Sequence, residues 1–388
     1  MKIIPDDFTF DFMGSIGVFR LGSALLMVAS ITSFIVLGLN LGIDFAGGYE
    51  IQVGFPKKVT ESQIKDVLKP LNIGDVRVQR FGSEEENSYL IMARKHGTVS
   101  DEQKSKLKSD FESLAAKGGS LTNWAMAESG ERLVVGFDHK VGEADVRQTV
   151  DRYNLTIKSV NENAHDEKSE YVVNLVSLAD QVESALVGGL NFSESENIVQ
   201  RVEFVGPQVG KELRNQGFLA VLYALGFILL YIAMRFDLFF SPGAIVALVH
   251  DVIAILGLFS IFQLEFNLPI IAAILALVGY SLNDTIVVYD RIRENLVRFR
   301  GRELKALINT SLSQTLSRTL LTSVTTLLVV SALWVFGGGI IRDFAIALFA
   351  GVIIGTYSSI GIASPTYLWL RQRQAAKSGS SDPSAVIA

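Results

Sequence analysis

Asp284 lies inside an apolar run of membrane-span length, residues 267–290, reading NLPIIAAILALVGYSLNDTIVVYD. A carboxylate in hydrocarbon is costly, so such a group turns to the protein interior, takes a partner and marks an ion or proton path. Its chemistry is reversible protonation, because desolvation favours the neutral acid and a nearby cation favours the carboxylate. A second ionisable pair, His250 and Asp251, falls mid-way along another apolar run, AIVALVHDVIAILG. Imidazole changes charge near neutrality, which suits a proton relay; the competing reading is a polar contact between helices. Arg318 opens a third run, on the side where the run holding Asp284 ends. It can act as the partner of Asp284 or as an ordinary topology signal.

Polar neighbours flank these groups: Asn283 and Thr285 beside Asp284, and Thr319, Ser323, Thr325 and Thr326 after Arg318. Hydroxyls at such places bond across helices or line a hydrated path, and Gly351 with Gly355 has the small-xxx-small spacing of close helix contact. The glycines of GIDFAGG at 42–48 do not make a phosphate loop, since no Gly-Lys-Ser/Thr follows and the stretch runs from helix into strand. Gly42, Gly47 and Gly48 read as a flexible joint between membrane and outer domain, with Asp44 fixing it by hydrogen bonds or an ion pair. There is no Ser/His/Asp nucleophile arrangement, no H-E-x-x-H and no Walker A or kinase motif. With four histidines and no cysteine, neither a transition-metal site nor any other cofactor is expected, and the chain reads as a non-enzyme.

The elements that must hold these groups follow from hydropathy. The chain has 388 residues, is 49% hydrophobic, and carries a formal net charge of −5, which argues against nucleic acid as a partner and for a lipid bilayer. Six runs are long enough to span it: 21–43, 216–234, 242–262, 268–289, 316–336 and 340–370. Acidic residues precede the first run and no small-residue cleavage site follows it, so it is expected to stay as an anchor and not to be a signal peptide. Basic residues crowd the 290–315 loop and the 371–388 tail, which places both chain ends, including the 1–20 segment, in the cytoplasm. The polar region between the first two runs then lies outside it.

That region carries an internal repeat. A shift of 82 positions brings Val53, Gly54, Phe55, Lys58, Val59, Asn72, Val78 and Tyr89 onto Val135, Gly136, Phe137, Lys140, Val141, Asn154, Val160 and Tyr171. Each copy reads as strand, amphipathic helix and two strands, with a second helix and a closing strand to follow. The expected fold class is a membrane α-helical bundle of six transmembrane helices plus an extracytoplasmic α+β region of two ferredoxin-like units, 44–130 and 131–211. The bundle takes 21–43 and 212–370.

Five motifs stand in order on this frame: GIDFAGG at 42–48, VEFVGPQVGKEL at 202–213, YSLNDTIVVYDRIREN at 280–295, LSRTLLTSVTTLL at 316–328 and GTYSSI at 355–360. Together they resemble the bacterial SecF family of the protein-export machinery, a branch of the resistance-nodulation-division superfamily of proton-driven exporters. The resemblance implies a multi-pass protein of the bacterial inner membrane whose large domain is periplasmic. It also implies proton flow at Asp284 and Arg318, and as partners a separate SecD subunit, the SecYEG channel with an accessory subunit, and a translocating polypeptide. One departure is the outer region, which has room for two units where SecF usually carries one. Rivals to an export role are a proton-driven small-molecule or lipid exporter of the same superfamily and a non-transporting assembly scaffold.

Overall fold

The computed structural model describes residues 10–74, 76–82, 86–93, 99–165, 168–192, 198–235 and 239–378; the outer parts of the two expected terminal segments lie outside them. In chain order the elements are helix α1 (Ile16–Val36), strand β1 (Asn40–Leu41), the one-turn helix α2 (Ile43–Ala46), β2 (Gly48–Gly54), α3 (Glu61–Leu68), β3 (Val76–Phe81) and β4 (Ser88–Ala93). Then come α4 (Asp101–Ala115), β5 (Leu121–Met126), β6 (Arg132–Phe137), α5 (Glu143–Asp151), β7 (Ile157–His165), β8 (Lys168–Leu175), α6 (Leu178–Gly189) and β9 (Val199–Val205). The last group is α7 (Pro207–Arg235), α8 (Ser241–Ile261), β10 (Glu265–Phe266), α9 (Leu268–Arg298), α10 (Leu304–Phe336), α11 (Gly339–Ser358) and α12 (Ser364–Ser378). A π-helical turn, Ser359–Ala363, joins α11 to α12. Two compact units result, residues 1–41 with 215–388, and residues 42–214.

The first unit is the membrane protein that the hydropathy implies, with six helical spans: α1, α7, α8, α9, α10, and α11 continued through α12. In hydrocarbon every backbone polar group must be satisfied within its own segment, which is why apolar runs of this length become helices. Proline in the first turn starts α8 and α9, where its missing N–H costs nothing. Small residues let the helices touch. A Cβ at Gly257 of α8 would stand 2.1 Å from Ser30 Cβ of α1, and one at Gly351 of α11 would stand 2.2 Å from the Leu277 side chain of α9. At one end of the bundle, Phe240, Tyr289 and Tyr367 pack within a core that also holds Ile292, Leu304 and Ile308.

Several span limits differ from those expected. α1 begins five residues earlier than the 21–43 run and ends at Val36, where Gly38 takes φ +67° and β1 follows, paired with β10. α9 and α10 run well past the hydrocarbon length, so the 290–315 segment is no open loop but two helix extensions joined by a short turn. Buried Ile292, Leu296, Leu304 and Leu307 zip those extensions together, a contact that a span-by-span hydropathy reading cannot see.

The second unit contains two four-stranded sheets, each antiparallel throughout. The positions matched by the 82-residue shift occupy equivalent places: β2 with β6, α3 with α5, β3 with β7, and β4 with β8. Even a buried hydrogen bond recurs, Tyr89 hydroxyl to Val59 carbonyl in one and Tyr171 hydroxyl to Val141 carbonyl in the other. The division of the chain is not the expected one at residue 130. The first sheet has the order β3-β4-β2-β9 and its core takes Leu178, Val182 and Leu186 from α6. The second has the order β5-β6-β8-β7 and its core takes Leu107 and Phe111 from α4. Thus α4 and β5, expected to complete the first unit, complete the second, and α6 and β9 complete the first. The first sheet keeps a β-α-β-β-α-β connectivity, and the second is set into it between β4 and α6. An amphipathic helix shows in sequence that it will cover a sheet, but not which sheet.

This division is testable with fragments. A 99–177 fragment, holding all strands and both helices of the second sheet, is expected to unfold cooperatively in a circular-dichroism melt. A 44–130 fragment lacks the three buried α6 side chains, each worth about 1.5–3 kcal/mol, and is expected to stay unfolded. The reverse result would restore the expected boundary.

Candidate functional site

Asp284 projects from α9 into the bundle and is 3% exposed. It shares its face with Ser281 and Val288, both buried, as the 3–4 residue spacing of a helix requires, and the adjacent Thr285 is buried too. Because α9 runs on to Arg298, roughly four more turns, Asp284 is no helix-end cap. Its Oδ2 has no hydrogen-bond partner among the described residues. Thr285 is occupied locally, its hydroxyl donating to the Ser281 carbonyl at 3.2 Å, and Asn283 faces outward. Arg318, on α10, is exposed; its charge is felt at Asp284, but no ion pair joins the two among the described residues. The expected partnership is therefore one of field and not of contact.

Asp251 is satisfied where Asp284 is not. Ser281 of α9 donates to its Oδ2 at 2.5 Å, and Ser358 of α11 donates to the same oxygen at 2.7 Å. His250 Nδ1 lies 3.0 Å from Oδ1. Which atom of this contact donates follows from the tautomer of the ring. Nε2 is buried and has no partner among the described residues. Three helices thus converge on one carboxylate, and α9 carries both Ser281, bonded to Asp251, and Asp284 one turn later.

Ser281 and Ser358 escape a reading by residue type, because a serine in an apolar run is ordinary. The available signal was the i, i+3 spacing of Ser281 and Asp284, which places them on one face. A neighbouring set ties the same helices. The Tyr280 hydroxyl donates to Ser323 Oγ at 3.2 Å, and Ser323 Oγ meets Thr356 Oγ1 at 2.7 Å, linking α9, α10 and α11. Ser323 also reaches back to the carbonyl of buried Thr319. Thr325 and Thr326 bond only to carbonyls of their own helix.

The GIDFAGG segment forms a close-packed turn. Gly42 caps α2, Asp44 lies in its first turn, and Gly47 and Gly48 take φ +73° and +132°. A Cβ on Gly47 would stand 3.3 Å from Pro207 Cα and from the Val205 carbonyl, and one on Gly210 would stand 3.2 Å from Gly47 N. The glycines are needed because the chain leaving α2 and the chain entering α7 pass backbone to backbone. Just beyond, Glu50 of β2 stands opposite Glu203 of β9. Burial, then Glu203, push the Glu50 carboxyl up to about 7, with Arg201 opposing and Asp44 adding to the rise.

Comparison with known proteins gives a family for this arrangement. The family described as protein export membrane protein SecD/SecF, C-terminal, matches residues 190–373, and the SecD/SecF GG motif matches residues 32–58. A curated protein translocase subunit SecF from Calditerrivibrio nitroreducens is 38% identical over 366 residues, covering 94% of this chain and 95% of the relative. Another from Magnetococcus marinus is 38% identical over 378 residues, covering 96% and 97%. Among solved structures, SecDF from Thermus thermophilus, a translocon-associated membrane protein, aligns with TM-score 0.63 and 30% identity over 96% of this chain. The chain spans only 40% of that larger protein's length. SecDF in a super-membrane-facing form aligns with TM-score 0.52 and 29% identity, over 98% of this chain and 41% of that one.

Two measurements test the geometry. Ser281→Ala and Ser358→Ala each remove a donor from the buried Asp251 carboxylate and should cost about 1–3 kcal/mol of membrane-unit stability, read by thermal unfolding in detergent. Unchanged stability in both would remove Asp251 from the packing of these helices. For Glu50 the sign follows from its raised value: the folded state holds the proton longer than an unfolded carboxyl of about 4.5. Its stabilisation is complete below that pH and is lost as pH rises through about 7. Trp124 fluorescence melts should show this loss in the native chain and a flatter profile in Glu50→Gln.

Proposed function

The chain belongs to the SecF family of protein translocase subunits, and from that premise we propose that it couples inward proton flow at Asp284 to the export of polypeptides across the bacterial inner membrane. The reading has both termini in the cytoplasm and the 42–214 unit in the periplasm. It works with a SecD subunit beside the SecYEG channel and its accessory subunit. The observation that carries it is the Asp284 carboxylate, buried on α9 with one oxygen unpartnered among the described residues and the Arg318 charge acting on it without an ion pair. A buried charge without a contact partner is poised to take a proton, and neutralising it changes how α9 and α10 attract each other.

Asp251 of α8, beside His250, offers a second acceptor, bonded to Ser281, which lies one turn from Asp284 on α9. Protons pass between these groups and repack α9 against α10 and α11. One elementary charge crossing the membrane yields about 2.3 kcal/mol per 100 mV, so a few protons suffice for a domain movement. The turn at 42–48 and the β9–α7 junction carry the motion to the outer sheets, where exposed strand edges hold an extended chain by strand addition. The reaction makes and breaks no covalent bond in this chain.

The test uses cells whose only copy carries Asp284→Asn, at membrane levels matched to the native protein. The maturation rate of a pulse-labelled secretory precursor is followed while an uncoupler lowers the proton gradient. Slow maturation, indifferent to the gradient, is expected. Normal maturation with full gradient dependence would sink Asp284 as the coupling group.

A further inference from the structure

Between α1, α8 and α12 the bundle has a lateral cavity of about 680 Å³, within the range of small-molecule sites. Its walls include Arg20, Ala24 and Met27 of α1, Val249 and His250 of α8, and Trp369 of α12. Val249 and Trp369 are 46% exposed, so the cavity opens laterally on the surface of the helical bundle. The wall is mostly apolar, broken by Ser23, Thr366 and His250, and its one cation of fixed charge is Arg20, exposed a turn inside α1. Arg20 makes no ion pair among the described residues. Arg373 lies over the Trp369 ring at 5.2 Å, an aromatic and cationic pair of the kind enriched at membrane interfaces. No carboxylate lines the cavity.

We propose that this groove binds one anionic phospholipid, with its phosphate at Arg20 and one acyl chain laid along Ala24, Met27 and Val249. An arginine at this depth snorkels toward a headgroup, and a cationic mouth over an apolar slot is the complement of that amphiphile. The slot follows α1 for about 10 Å, too short to seat a partner's helix and suited to the upper part of an acyl chain. The occupant also touches the proposed proton network, because His250 forms part of the wall while its Nδ1 is bonded to Asp251. Lipid binding of this kind holds whatever the chain exports.

The experiment is native mass spectrometry of the full chain in detergent. It is titrated with palmitoyl-oleoyl phosphatidylglycerol and, separately, with phosphatidylethanolamine of the same acyl chains. One tightly held phosphatidylglycerol is expected in preference to phosphatidylethanolamine. Arg20→Gln should weaken that preference by about fivefold, the effect of one arginine near an anionic lipid. Ala24→Trp, which fills the slot, should abolish tight binding of both lipids. Leu25→Trp, on the neighbouring exposed face, should leave it unchanged and shows that an added indole is tolerated. Equal retention of the two lipids, insensitivity to both Arg20→Gln and Ala24→Trp, or displacement by millimolar inorganic phosphate alone would each overturn the proposal. The last would reduce the site to one for a bare anion.

Discussion

Asp251 accepts hydroxyls from Ser281 and Ser358 and meets the His250 imidazole, so α8, α9 and α11 are tied at one carboxylate. A charge at this depth has no water to fall back on, and its hydrogen bonds must come from the helices themselves. The close approach of α11 is part of the same requirement. A Cβ at Gly355 would stand 2.9 Å from the Cβ of Ser281, the residue that α9 sends to Asp251. Gly355 and Ser358 lie one turn apart on α11. The glycine thus admits the neighbouring helix and the serine completes the carboxylate, so packing and polar satisfaction are one interface.

Asp284 gains its character by contrast. It lies one turn from Ser281 on the same helix, equally buried, yet one of its oxygens finds no donor among the described residues. A fully bonded acid fixes a structure, whereas an under-bonded one is sensitive to the charges around it. The two acids therefore differ in their surroundings: Asp251 is hydrogen-bonded by side chains of α8, α9 and α11, while one Asp284 oxygen has no partner among the described residues. Ser323, joined to Tyr280 and Thr356, repeats the holding role one layer away with neutral groups.

Much of this was legible in the residues. Apolar runs gave the six spans, and ionisable side chains inside them singled out Asp284, Asp251 and His250, because hydrocarbon tolerates such residues so rarely. The repeat located matching strands and helices to within a few residues. Three things stayed hidden for a common reason: they depend on contacts between distant segments. Nothing local says that α6 covers the first sheet while α4 covers the second. Nothing in GTYSSI says that Ser358 reaches Asp251. Arg318 falls at the expected end of its helix, but a one-dimensional reading cannot tell a contact from a field.

The chain connectivity of the outer unit bears on how motion can leave the membrane. Its two covalent links are the α2–β2 segment and the β9–α7 junction, and β2 and β9 are hydrogen-bonded neighbours in one sheet. Only Gly206 separates β9 from α7. The β2–β9 ladder runs from Gly48–Val205 to Val53–Val199, with a register shift between Gln52 and Val53. The second sheet has no covalent link of its own to the membrane helices; it hangs from the first through the connections after β4 and before α6, and through the Tyr49 hydroxyl bonded to Glu131 at 2.8 Å. The Glu50–Glu203 pair sits in the β2–β9 ladder, where two like carboxyls face each other across the strands that both links share. Protonation of Glu50 relieves that repulsion between β2 and β9, so the firmness of this ladder is itself a function of pH.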